Sequence, residues 1–352
     1  MKKRNTGCRF RITSLLLCIL ILAQCVMFSS CTGLPLKNNT ADEGYTEVYY
    51  FFDTFVSITV YDEKDKAFLP DIEKTCYKYD NLFNRHRPGS DLDRINNAEG
   101  EAVIVDSETI FLIETALEFC KETDGAIDIT VAPVLDLWDF TSGDENVTPP
   151  SDEAIKEALK HVDYKKVRYD YNTCEVKLLD PEAAIDLGFI AKGYIADWIR
   201  VTLIGFGVEN AIINLGGNII VIGTKPDGSN YNIGIKKPFT TTNEVMATAS
   251  VNDTSVVTSG IYERCFTYDG KLYHHIIDPK TGYPVENNLY QVTVICEDST
   301  FADALSTSLL LLGTEKGTSL LRLYQEAVPG THAMFVDDQY KYYYSEGFPF
   351  KD

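Results

Sequence analysis

The segment YHHIIDPKTGYP, residues 273–284, places two imidazoles and a carboxylate around a turn. A hairpin turn requires the glycine and the proline that close the segment, but it does not require His274, His275 and Asp278. A histidine can take the proton of a hydroxyl, because the ordinary pKa of imidazole lies close to neutral pH. On a strand, the two histidines face opposite sides. The segment is either a solvated turn with incidental polar residues or the rim of an active site that one histidine faces.

A carboxylate and a hydroxyl occur four residues apart in FADALSTSLLLLG, residues 301–313. On a helix, Asp303 and Thr307 share one face, and their oxygens are the hard ligands that Mg2+ prefers. Taken alone, the pattern is more typical of an acid favoured by the helix dipole and a threonine that faces solvent.

Two further segments could approach a ligand. AAIDLGFIAKGYIADW, residues 183–198, places Asp186, a glycine turn and Lys192 at the start of a helix. Helix amides and an ammonium group suit a phosphate, although the spacing is not that of a P-loop and a capped helix with an exposed lysine is the alternative. Gly216–Gly217 in INLGGNIIVIG allow either a sharp turn or a close ligand. Asp128 lies in the hydrophobic stretch TDGAIDITVAPVLDLW, where a carboxylate needs a donor or a ligand.

The periodicity of the chain predicts the elements that position these residues. A strand is expected over 47–62, and strands dominate 208–297. Helices are expected over 66–84, 107–123, 151–162, 189–207, 301–313 and 314–326, with Ser107 and Ser151 as N-caps and Gly207 closing the fourth. Two strands end the chain. Strands follow strands without regular crossover helices, so the sequence predicts an α+β fold with antiparallel sheets.

The first 31 residues have the layout of a secretory signal: a basic start, an apolar run, small residues and Cys31. Cleavage before Cys31 and lipidation of its thiol would make a bacterial lipoprotein, and an uncleaved membrane anchor is the alternative. Either interpretation places the body outside the cytoplasm, on the extracytoplasmic side of the cell membrane. Residues 32–45 read as a polar tether.

Charge and cysteine content exclude several classes of protein. The net charge is −20, and the first 31 residues contribute +5, which leaves −25 on the rest. Such an acidic body would be repelled by nucleic acid, so we expect no nucleic-acid partner. Five of the nine cysteines lie beyond residue 31 without a Cys-x-x-Cys pair, which indicates buried free thiols and not a disulfide framework or a metal motif.

Six segments, taken in order, resemble the ApbE-type FAD:protein FMN transferases. They are DGAIDITVAPVLDLW (124–138), DLGFIAKGYIAD (186–197), NLGGNIIVIG (214–223), TSGIYER (258–264), YHHIIDPKTGYPV (273–285) and ADALSTSLLLLG (302–313). The resemblance implies one flavin transferase domain over residues 46–345, with mostly antiparallel sheets flanked by helices and a short tail at 346–352.

This resemblance implies a Mg2+-dependent transfer of FMN from FAD to a Thr or Ser hydroxyl of an acceptor protein, with release of AMP. The implied acceptors are flavin-bearing subunits of membrane redox complexes. Two alternatives use the same pocket: a FAD pyrophosphatase that yields FMN and AMP, and a flavin-binding lipoprotein without catalysis.

The same resemblance implies roles for individual residues. The metal ligands would be the Asp303 and Thr307 side chains and the backbone carbonyl of Phe189, with Ser306 near the ion. His275 would be the catalytic residue, acting as a base. The predicted FAD contacts are Phe52, His86, Ala126, Ile127, Asp128, Asp186, Lys192 and Ile277.

Three positions depart from the family pattern. Phe189 stands where the family usually has Gly, Ala or Ser, which affects the room around the ion. Phe52 stands where Met is frequent and His86 where Tyr is common, and both changes affect the packing of the flavin ring.

Overall fold

A computed structural model describes residues 44–140, 147–240, 242 and 244–351. The predicted signal, the lipidated Cys31 and nearly all of the predicted tether lie outside these residues. In the described part of the chain, none of the helices combines the length and apolar character that crossing a bilayer requires.

The described strands are β1 (Tyr45–Phe51), β2 (Thr54–Val60), β3 (Val103–Ile104), β4 (Val167–Asp170), β5 (Glu175–Leu178), β6 (Ala211–Leu215), β7 (Asn218–Ile222), β8 (Tyr231–Lys236), β9 (Val245–Val251), β10 (Thr254–Gly260), β11 (Cys265–Tyr268), β12 (Lys271–His274), β13 (Leu289–Cys296), β14 (His332–Asp337) and β15 (Tyr342–Tyr344). The α-helices are α1 (Leu69–Phe83), α2 (Asp91–Asn96), α3 (Ser107–Glu122), α4 (Ala132–Trp138), α5 (Asp152–Ala158), α6 (Ala191–Gly205) and α7 (Ser299–Ala327). Short 3-10 segments lie at Glu63–Phe68, Leu159–His161 and Tyr164–Lys166.

The main sheet has eight strands in the order β1-β2-β6-β7-β10-β13-β14-β15. Smaller sheets are formed by β3-β5-β4, β8-β9 and β11-β12. Every pairing between these named strands is antiparallel. The predicted α+β fold with antiparallel sheets is confirmed.

Both faces of the main sheet carry a hydrophobic layer. On one face, α6 contacts β6 and β7, and α7 contacts β10 and β13. On the other face lies the β8–β9 hairpin, whose inward residues Tyr231, Ile233 and Ala249 pack with Val221 and Val256 of the sheet. The strict alternation of buried and exposed residues along β8 is what a strand needs when one of its faces covers a sheet.

The chain reverses direction where the sequence predicted one continuous strand. Residues 47–62 contain most of β1 and β2, which pair from Phe51↔Thr54 onward. The turn residues Phe52 and Asp53 both have φ of 55°, a left-handed conformation that non-glycine residues adopt uncommonly. No glycine or proline marks this turn, so the β-branched pattern concealed it.

Three residues were predicted to cap or close helices, and Ser151 and Gly207 are confirmed while Ser107 is not. The N-cap of α3 is Asp106, whose side chain accepts a hydrogen bond from the Glu108 amide, so the prediction of Ser107 as cap was wrong by one residue. Ser151 caps α5 as predicted. The chain leaves α6 at Gly207, which has φ of +84°, as in the left-handed helix endings that favour glycine.

The two helices predicted over 301–326 are the two halves of α7. Gly313 has φ of 72° and ψ of 179°, which interrupts the helix between them. The strands predicted at the end of the chain are β14 and β15. All five described cysteines are free thiols, and three of them, Cys76, Cys120 and Cys296, are buried. Free thiols were expected, but Cys174 and Cys265 are only half-buried.

Candidate active site

One cavity of about 920 Å³ gathers the segments singled out in the sequence. Its wall includes the β1–β2 turn, the β6–β7 turn, the start of α6 and the second turn of α7. All the predicted site residues line it: Phe52, His86, Ala126, Ile127, Asp128, Asp186, Phe189, Lys192, His275, Ile277, Asp303 and Thr307. Its volume lies at the upper end of the range for small-molecule sites.

Asp303 is a buried residue of α7 and not the exposed helix-start acid that the simpler interpretation assumed. Only 3% of its surface is exposed. Its Oδ2 accepts a hydrogen bond of 2.9 Å from the Gly193 amide and lies 4.0 Å from Lys192 Nζ. Burial raises the pKa of the Asp303 carboxyl, while the charge of Lys192 acts in the opposite direction. The Asp303 carboxylate is therefore buried, and a nearby cation stabilises its charged form.

Gly193 permits this contact between α6 and α7. A Cβ at Gly193 would lie 2.2 Å from the Ser299 carbonyl oxygen and 2.8 Å from Asp303 Cβ. Asp197, one turn further along α6, accepts hydrogen bonds from the Ser299 and Thr300 amides at the start of α7. Burial raises the pKa of Asp197 to about 6. These contacts hold Lys192 and Asp303 side by side.

Three hydroxyl groups lie close together on the side of Asp303 toward β10, and that of Ser306 donates to the Asp303 carbonyl at 3.0 Å. Ser259 Oγ is 2.9 Å from Thr307 Oγ1 and 2.7 Å from Ser306 Oγ. Thr307 is thus not a solvent-facing threonine, because its hydroxyl takes part in a network at the cavity wall. Ser259, which the sequence did not single out, comes from β10 and joins the sheet to α7.

Phe189 lies just before α6, which begins at Ala191 and not at residue 189 as predicted. Its ring contacts Phe119 of α3 edge-on, with 6.4 Å between the ring centroids. The substitution of a bulky residue at this position is thereby accommodated by the hydrophobic core.

Arg85 binds two carboxylates at the cavity and was missed in the sequence. Its Nε donates to Asp186 Oδ2 at 2.8 Å, and its two terminal nitrogens donate to Asp136 at 3.1 and 2.7 Å. The other oxygen of Asp186 accepts from the Gly188 amide at 2.7 Å. Lys192 Nζ donates to the Gly188 carbonyl at 3.1 Å, so the loop that precedes α6 is held from both sides.

The protein itself supplies the hydrogen-bond donors that the Asp128 carboxylate needs in its hydrophobic segment. Oδ1 accepts from the Thr130 amide and hydroxyl at 2.8 and 2.5 Å, and Oδ2 accepts from the Tyr164 amide at 3.0 Å. Burial raises the pKa of Asp128, and the hydrogen bonds from Thr130 lower it. Asp128 lines the cavity, but its side-chain oxygens already stabilise the 163–164 segment.

His275 faces the cavity, whereas His274 is buried elsewhere and does not line it. His275 Nδ1 lies 3.2 Å from the Arg264 carbonyl oxygen. A carbonyl oxygen only accepts, so this hydrogen bond assigns the proton to Nδ1 and leaves the lone pair on Nε2. Burial, followed by the charge of Arg264, lowers the pKa of His275 to about 3. The folded environment therefore disfavours the charged imidazolium form of His275.

The turn after His275 is fixed by contacts with α4 and its neighbours. Asp278 accepts hydrogen bonds from the Lys280 amide through its side chain and from the Gly282 amide through its carbonyl. Trp138 of α4 donates its indole N–H to the Gly282 carbonyl at 2.8 Å. Lys280 Nζ donates to the Asp124 carbonyl at 2.9 Å. Asp278 therefore orders the turn.

The Gly216–Gly217 pair forms a sharp turn, one of the two possibilities that the sequence left open, and this turn lies at the cavity wall. The pair forms the tight turn from β6 to β7, with φ of 56° and 95°, and both residues line the cavity. A Cβ at Gly216 would lie 2.3 Å from Thr54 Oγ1. Bare backbone is needed where this turn meets the β1–β2 hairpin.

Seven charged residues that line the cavity had no role in the sequence prediction: Asp53, Arg85, Asp136, Asp139, Lys236, Glu263 and Arg264. Glu263 and Arg264 belong to the segment TSGIYER, which the resemblance singled out without assigning them a role. Burial raises the pKa of the Glu263 carboxyl to about 7, against the opposing charges of Lys192 and Arg264. Nothing in the sequence around Arg85 and Lys236 distinguishes them from charged residues on the surface.

The residues around Asp303 fit a hard cation. In the described part of the chain there is no group of three or more His, Cys, Asp or Glu residues that could hold a metal. The predicted set is of another kind: one carboxylate, one hydroxyl and one backbone carbonyl, all oxygen donors as Mg2+ prefers. The buried carboxylate of Asp303, with two hydroxyls of its own helix beside Ser259, is consistent with that set.

Comparison with known proteins gives one consistent result. The model of the ApbE family matches residues 52–331. A FAD:protein FMN transferase from Klebsiella pneumoniae is 39% identical over 259 residues, covering 73% of this chain and 79% of that protein. The FAD:protein FMN transferase of Treponema pallidum is 33% identical over 310 residues, covering 83% and 84% of the two chains.

Solved structures agree in fold. The ApbE protein from Thermotoga maritima has a TM-score of 0.78 and 36% identity, and the match covers 86% of this chain and 97% of that one. The flavin transferase ApbE from Vibrio cholerae has a TM-score of 0.76 and 27% identity, with 88% and 99% covered.

Proposed function

This chain belongs to the ApbE family, and from that premise we infer that it is a FAD:protein FMN transferase. It transfers FMN from FAD to a hydroxyl of an acceptor protein and releases AMP. The observation that carries this conclusion is the single cavity of about 920 Å³ that gathers residues from six separate segments. We further propose that the reaction depends on Mg2+ and that the hydroxyl belongs to a Thr or Ser.

Asp303, Thr307 and the Phe189 carbonyl are the residues that would hold the Mg2+. When bound, the ion would neutralise charge on the pyrophosphate of FAD and on the leaving AMP. The protein supplies its own cation for the same purpose, because Lys192 lies beside Asp303 in the first turn of α6. The net charge of the chain is −20 and its first 31 residues carry +5, so the rest of the chain carries −25. A local positive charge is therefore needed to offset the repulsion between this acidic body and the pyrophosphate.

His275 remains the proposed catalytic residue, with its role defined by its tautomer. Nε2 carries the lone pair that faces away from the Arg264 carbonyl. It can accept a hydrogen bond from the attacking hydroxyl and orient the oxygen toward phosphorus, which is the main contribution a protein makes to phosphoryl transfer.

The remaining wall of the cavity would hold the rest of FAD. Phe52, Ile127 and Ile277 offer apolar surface for the flavin ring, and His86 and Ala126 lie at the same wall. Asp186 is oriented by Arg85 and the Gly188 amide, so it offers a fixed acceptor. Asp128 contributes to this wall mainly by ordering it.

One incubation tests the function. The full-length protein is mixed with FAD, Mg2+ and candidate acceptor proteins from the same genome, and the intact mass of each acceptor is measured. A mass gain equal to FMN supports the transferase. Free FMN and AMP without a mass gain would indicate a FAD pyrophosphatase, and bound but intact FAD would indicate a flavin-binding protein without catalysis.

We also propose that the protein is a lipoprotein anchored through Cys31 on the extracytoplasmic side of the cell membrane. The basic and apolar segment that ends in Cys31 supports this proposal, and it favours subunits of membrane redox complexes as acceptors. Cys31→Ala is expected to move the protein out of the membrane fraction after cell fractionation. Retention of the variant in that fraction would favour an uncleaved anchor.

A further inference from the structure

The hairpin of β1 and β2 carries an exposed apolar face that the proposed mechanism does not use. Val48, Tyr50 and Phe55 form this face, and their exposed fractions are 59%, 62% and 68%. Val48 and Tyr50 lie two residues apart on β1, so their side chains share one side of the strand. Tyr50 pairs with Phe55 of β2, and the two rings meet edge-on with 5.6 Å between their centroids. We call these three side chains the hairpin patch.

The hairpin patch lies next to the opening of the catalytic cavity. Residues 52–54 lie between the two aromatic residues in the chain, and all three line the cavity. Asp53 is also exposed to solvent, so this turn stands where the cavity opens. On β2, Val56 pairs with Leu215 of β6, which places Phe55 beside the β6–β7 turn, another part of the cavity wall. A molecule that enters the cavity past these turns comes within reach of the patch.

An exposed aromatic pair of this kind is typical of a binding surface. Isolated apolar residues are common on protein surfaces, but contiguous apolar groups mark places where another molecule docks. Aromatic side chains bury large areas at interfaces, and tyrosine is among the residues that contribute most to binding there. All seven residues of β1 pair with β2. The patch is therefore ordered before a partner arrives, which lowers the entropic cost of binding.

The proposed reaction requires such a surface for a protein. Its second substrate is a protein whose hydroxyl must reach the FMN phosphorus inside the cavity. Because the rest of the acceptor remains outside, it has to contact the surface around the opening. The contacts made there determine how tightly the acceptor is bound while its hydroxyl is positioned for transfer.

The charge of the hairpin favours a protein over a lipid surface as the partner. Residues 45–60 contain Glu47 and Asp53 but no Lys, Arg or His. Surfaces that adsorb to membranes combine apolar side chains with basic ones, which attract anionic lipid headgroups. An acidic hairpin on a strongly acidic body is instead repelled by such lipids. It suits a protein whose apolar surface is bordered by basic or neutral groups.

We propose that the hairpin patch docks the acceptor protein, through an apolar surface that lies beside the Thr or Ser receiving FMN. This inference rests on the proposed transferase function and extends it, because it assigns recognition of the protein substrate to residues outside the FAD site. Tyr50 and Phe55 do not line the cavity, so they contact the acceptor and not FAD. Loss of either ring should weaken the binding of the acceptor and leave the chemical step intact.

Steady-state kinetics with the acceptor that gains FMN in the mass experiment tests the proposal. Full-length wild type, Tyr50→Gln and Phe55→Gln are compared at saturating FAD and Mg2+ while the acceptor concentration is varied. Each substitution should raise the KM for the acceptor about tenfold, as expected for the loss of an aromatic side chain that is buried in an interface. The kcat should stay within about twofold of wild type. A fluorescence titration should show an unchanged FAD affinity.

Three further variants make the result specific. Tyr50→Phe and Phe55→Tyr keep an aromatic ring and should retain most of the affinity for the acceptor. Val201→Gln changes an exposed apolar residue of α6 that does not line the cavity, and its KM for the acceptor should equal that of wild type. Thermal unfolding checks the fold of each variant.

Three outcomes would overturn the proposal. The first is a KM for the acceptor that stays at the wild-type value in both glutamine variants. The second is weaker FAD binding in these variants, which would make the patch part of the FAD site. The third is reduced sedimentation of the variants with phospholipid vesicles at an unchanged KM for the acceptor, which would show that the patch contacts the membrane. A wild type that transfers FMN to no acceptor would refute the transferase function itself, a result distinct from an unchanged KM in the variants.

Discussion

Five of the acidic residues that line the cavity form two groups that differ in their partners. Asp186 and Asp136 are joined by Arg85, and Asp128 accepts three hydrogen bonds from Thr130 and Tyr164. In the second group, Asp303 and Glu263, the only hydrogen-bond donor to either carboxylate among the described residues is the Gly193 amide, which donates to Asp303. Lys192 Nζ is 4.0 Å from Asp303 Oδ2, a distance too long for a hydrogen bond.

This difference separates structural from chemical use of the same residue type. A carboxylate whose oxygens are all occupied orders the chain and has little capacity left for a ligand. A buried carboxylate with few donors has a raised pKa and a strong demand for a cation or a proton. The paired group lies in the segments that shape the wall, and the unpaired group lies beside the hydroxyls and His275. The predictions below test that division.

The largest effect is expected from the unpaired group. Asp303→Asn removes the charge but keeps an oxygen that can accept from the Gly193 amide, so turnover should fall below detection while the fold persists. Asp303→Ala is a less specific test of the metal site, because Asp303 is buried and joins α6 to α7, so the variant can also lose activity through a damaged fold. AMP release over a range of Mg2+ concentrations measures the effect, and thermal unfolding checks the fold.

A matched control is Asp227→Asn, because Asp227 lies in an exposed loop and does not line the cavity. It should leave both quantities unchanged. Full activity of Asp303→Asn at limiting Mg2+ would remove Asp303 from the metal site.

His275→Ala should slow transfer by about 10²–10⁴-fold, the usual size of a contribution from a positioned acid–base group. FAD affinity should change much less, since a neutral imidazole adds little to the binding of an anion. Steady-state rates and FAD titrations separate the two quantities. His274→Ala is the neighbouring control, because His274 does not line the cavity; the reverse order of effects would show that the other histidine serves the reaction.

Breaking the paired group should affect binding and stability more than chemistry. Arg85→Gln leaves Asp136 and Asp186 without their shared cation. Because the Asp136 side chain is half exposed, the cost lies between the roughly 1 kcal/mol of an exposed ion pair and the roughly 3 kcal/mol of a buried one. We expect a lower melting temperature and about tenfold weaker FAD affinity, from a negative charge left facing the pyrophosphate. The maximal rate at saturating FAD should stay within a few-fold of wild type.

Arg85→Lys keeps the charge but not the forked geometry, and it should recover part of the affinity. A large loss of maximal rate with unchanged affinity in Arg85→Gln would show that the paired group takes part in the chemistry, contrary to the division drawn here.

The smallest effect is expected at Lys192. Lys192→Met keeps most of the aliphatic chain and removes the charge, so FAD affinity should weaken several-fold at low Mg2+ and less at high Mg2+, where the ion carries more of the neutralisation. FAD titrations at two Mg2+ concentrations measure this. Lys225→Met, a substitution in a loop that does not line the cavity, should change neither curve. Identical curves for Lys192→Met and wild type would remove Lys192 from the site.

Local patterns in the sequence were sufficient for much of the fold. The spacing of Asp303 and Thr307, the cap at Ser151, the end of α6 at Gly207 and the break at Gly313 all follow from interactions within a few residues. The antiparallel α+β architecture follows from the order of strands and helices. The resemblance of six segments identified the family, and the residues that it implies as metal ligands, FAD contacts and catalytic residue all line one cavity.

Only the tertiary structure decided how those residues differ from one another. The turn at Phe52–Asp53 has no local signal, because packing overrides the preference of these residues for negative φ. The pairing of Arg85 with Asp186 joins positions 101 residues apart. The pKa values of His275 and Glu263 are moved in opposite directions from their ordinary values, to about 3 and about 7. Both shifts have burial as their first cause, and burial penalises whichever form is charged: the imidazolium of a histidine and the carboxylate of a glutamate. The sequence names the ionisable groups, but how deeply each one is enclosed, and beside which charges, is determined by the folded chain.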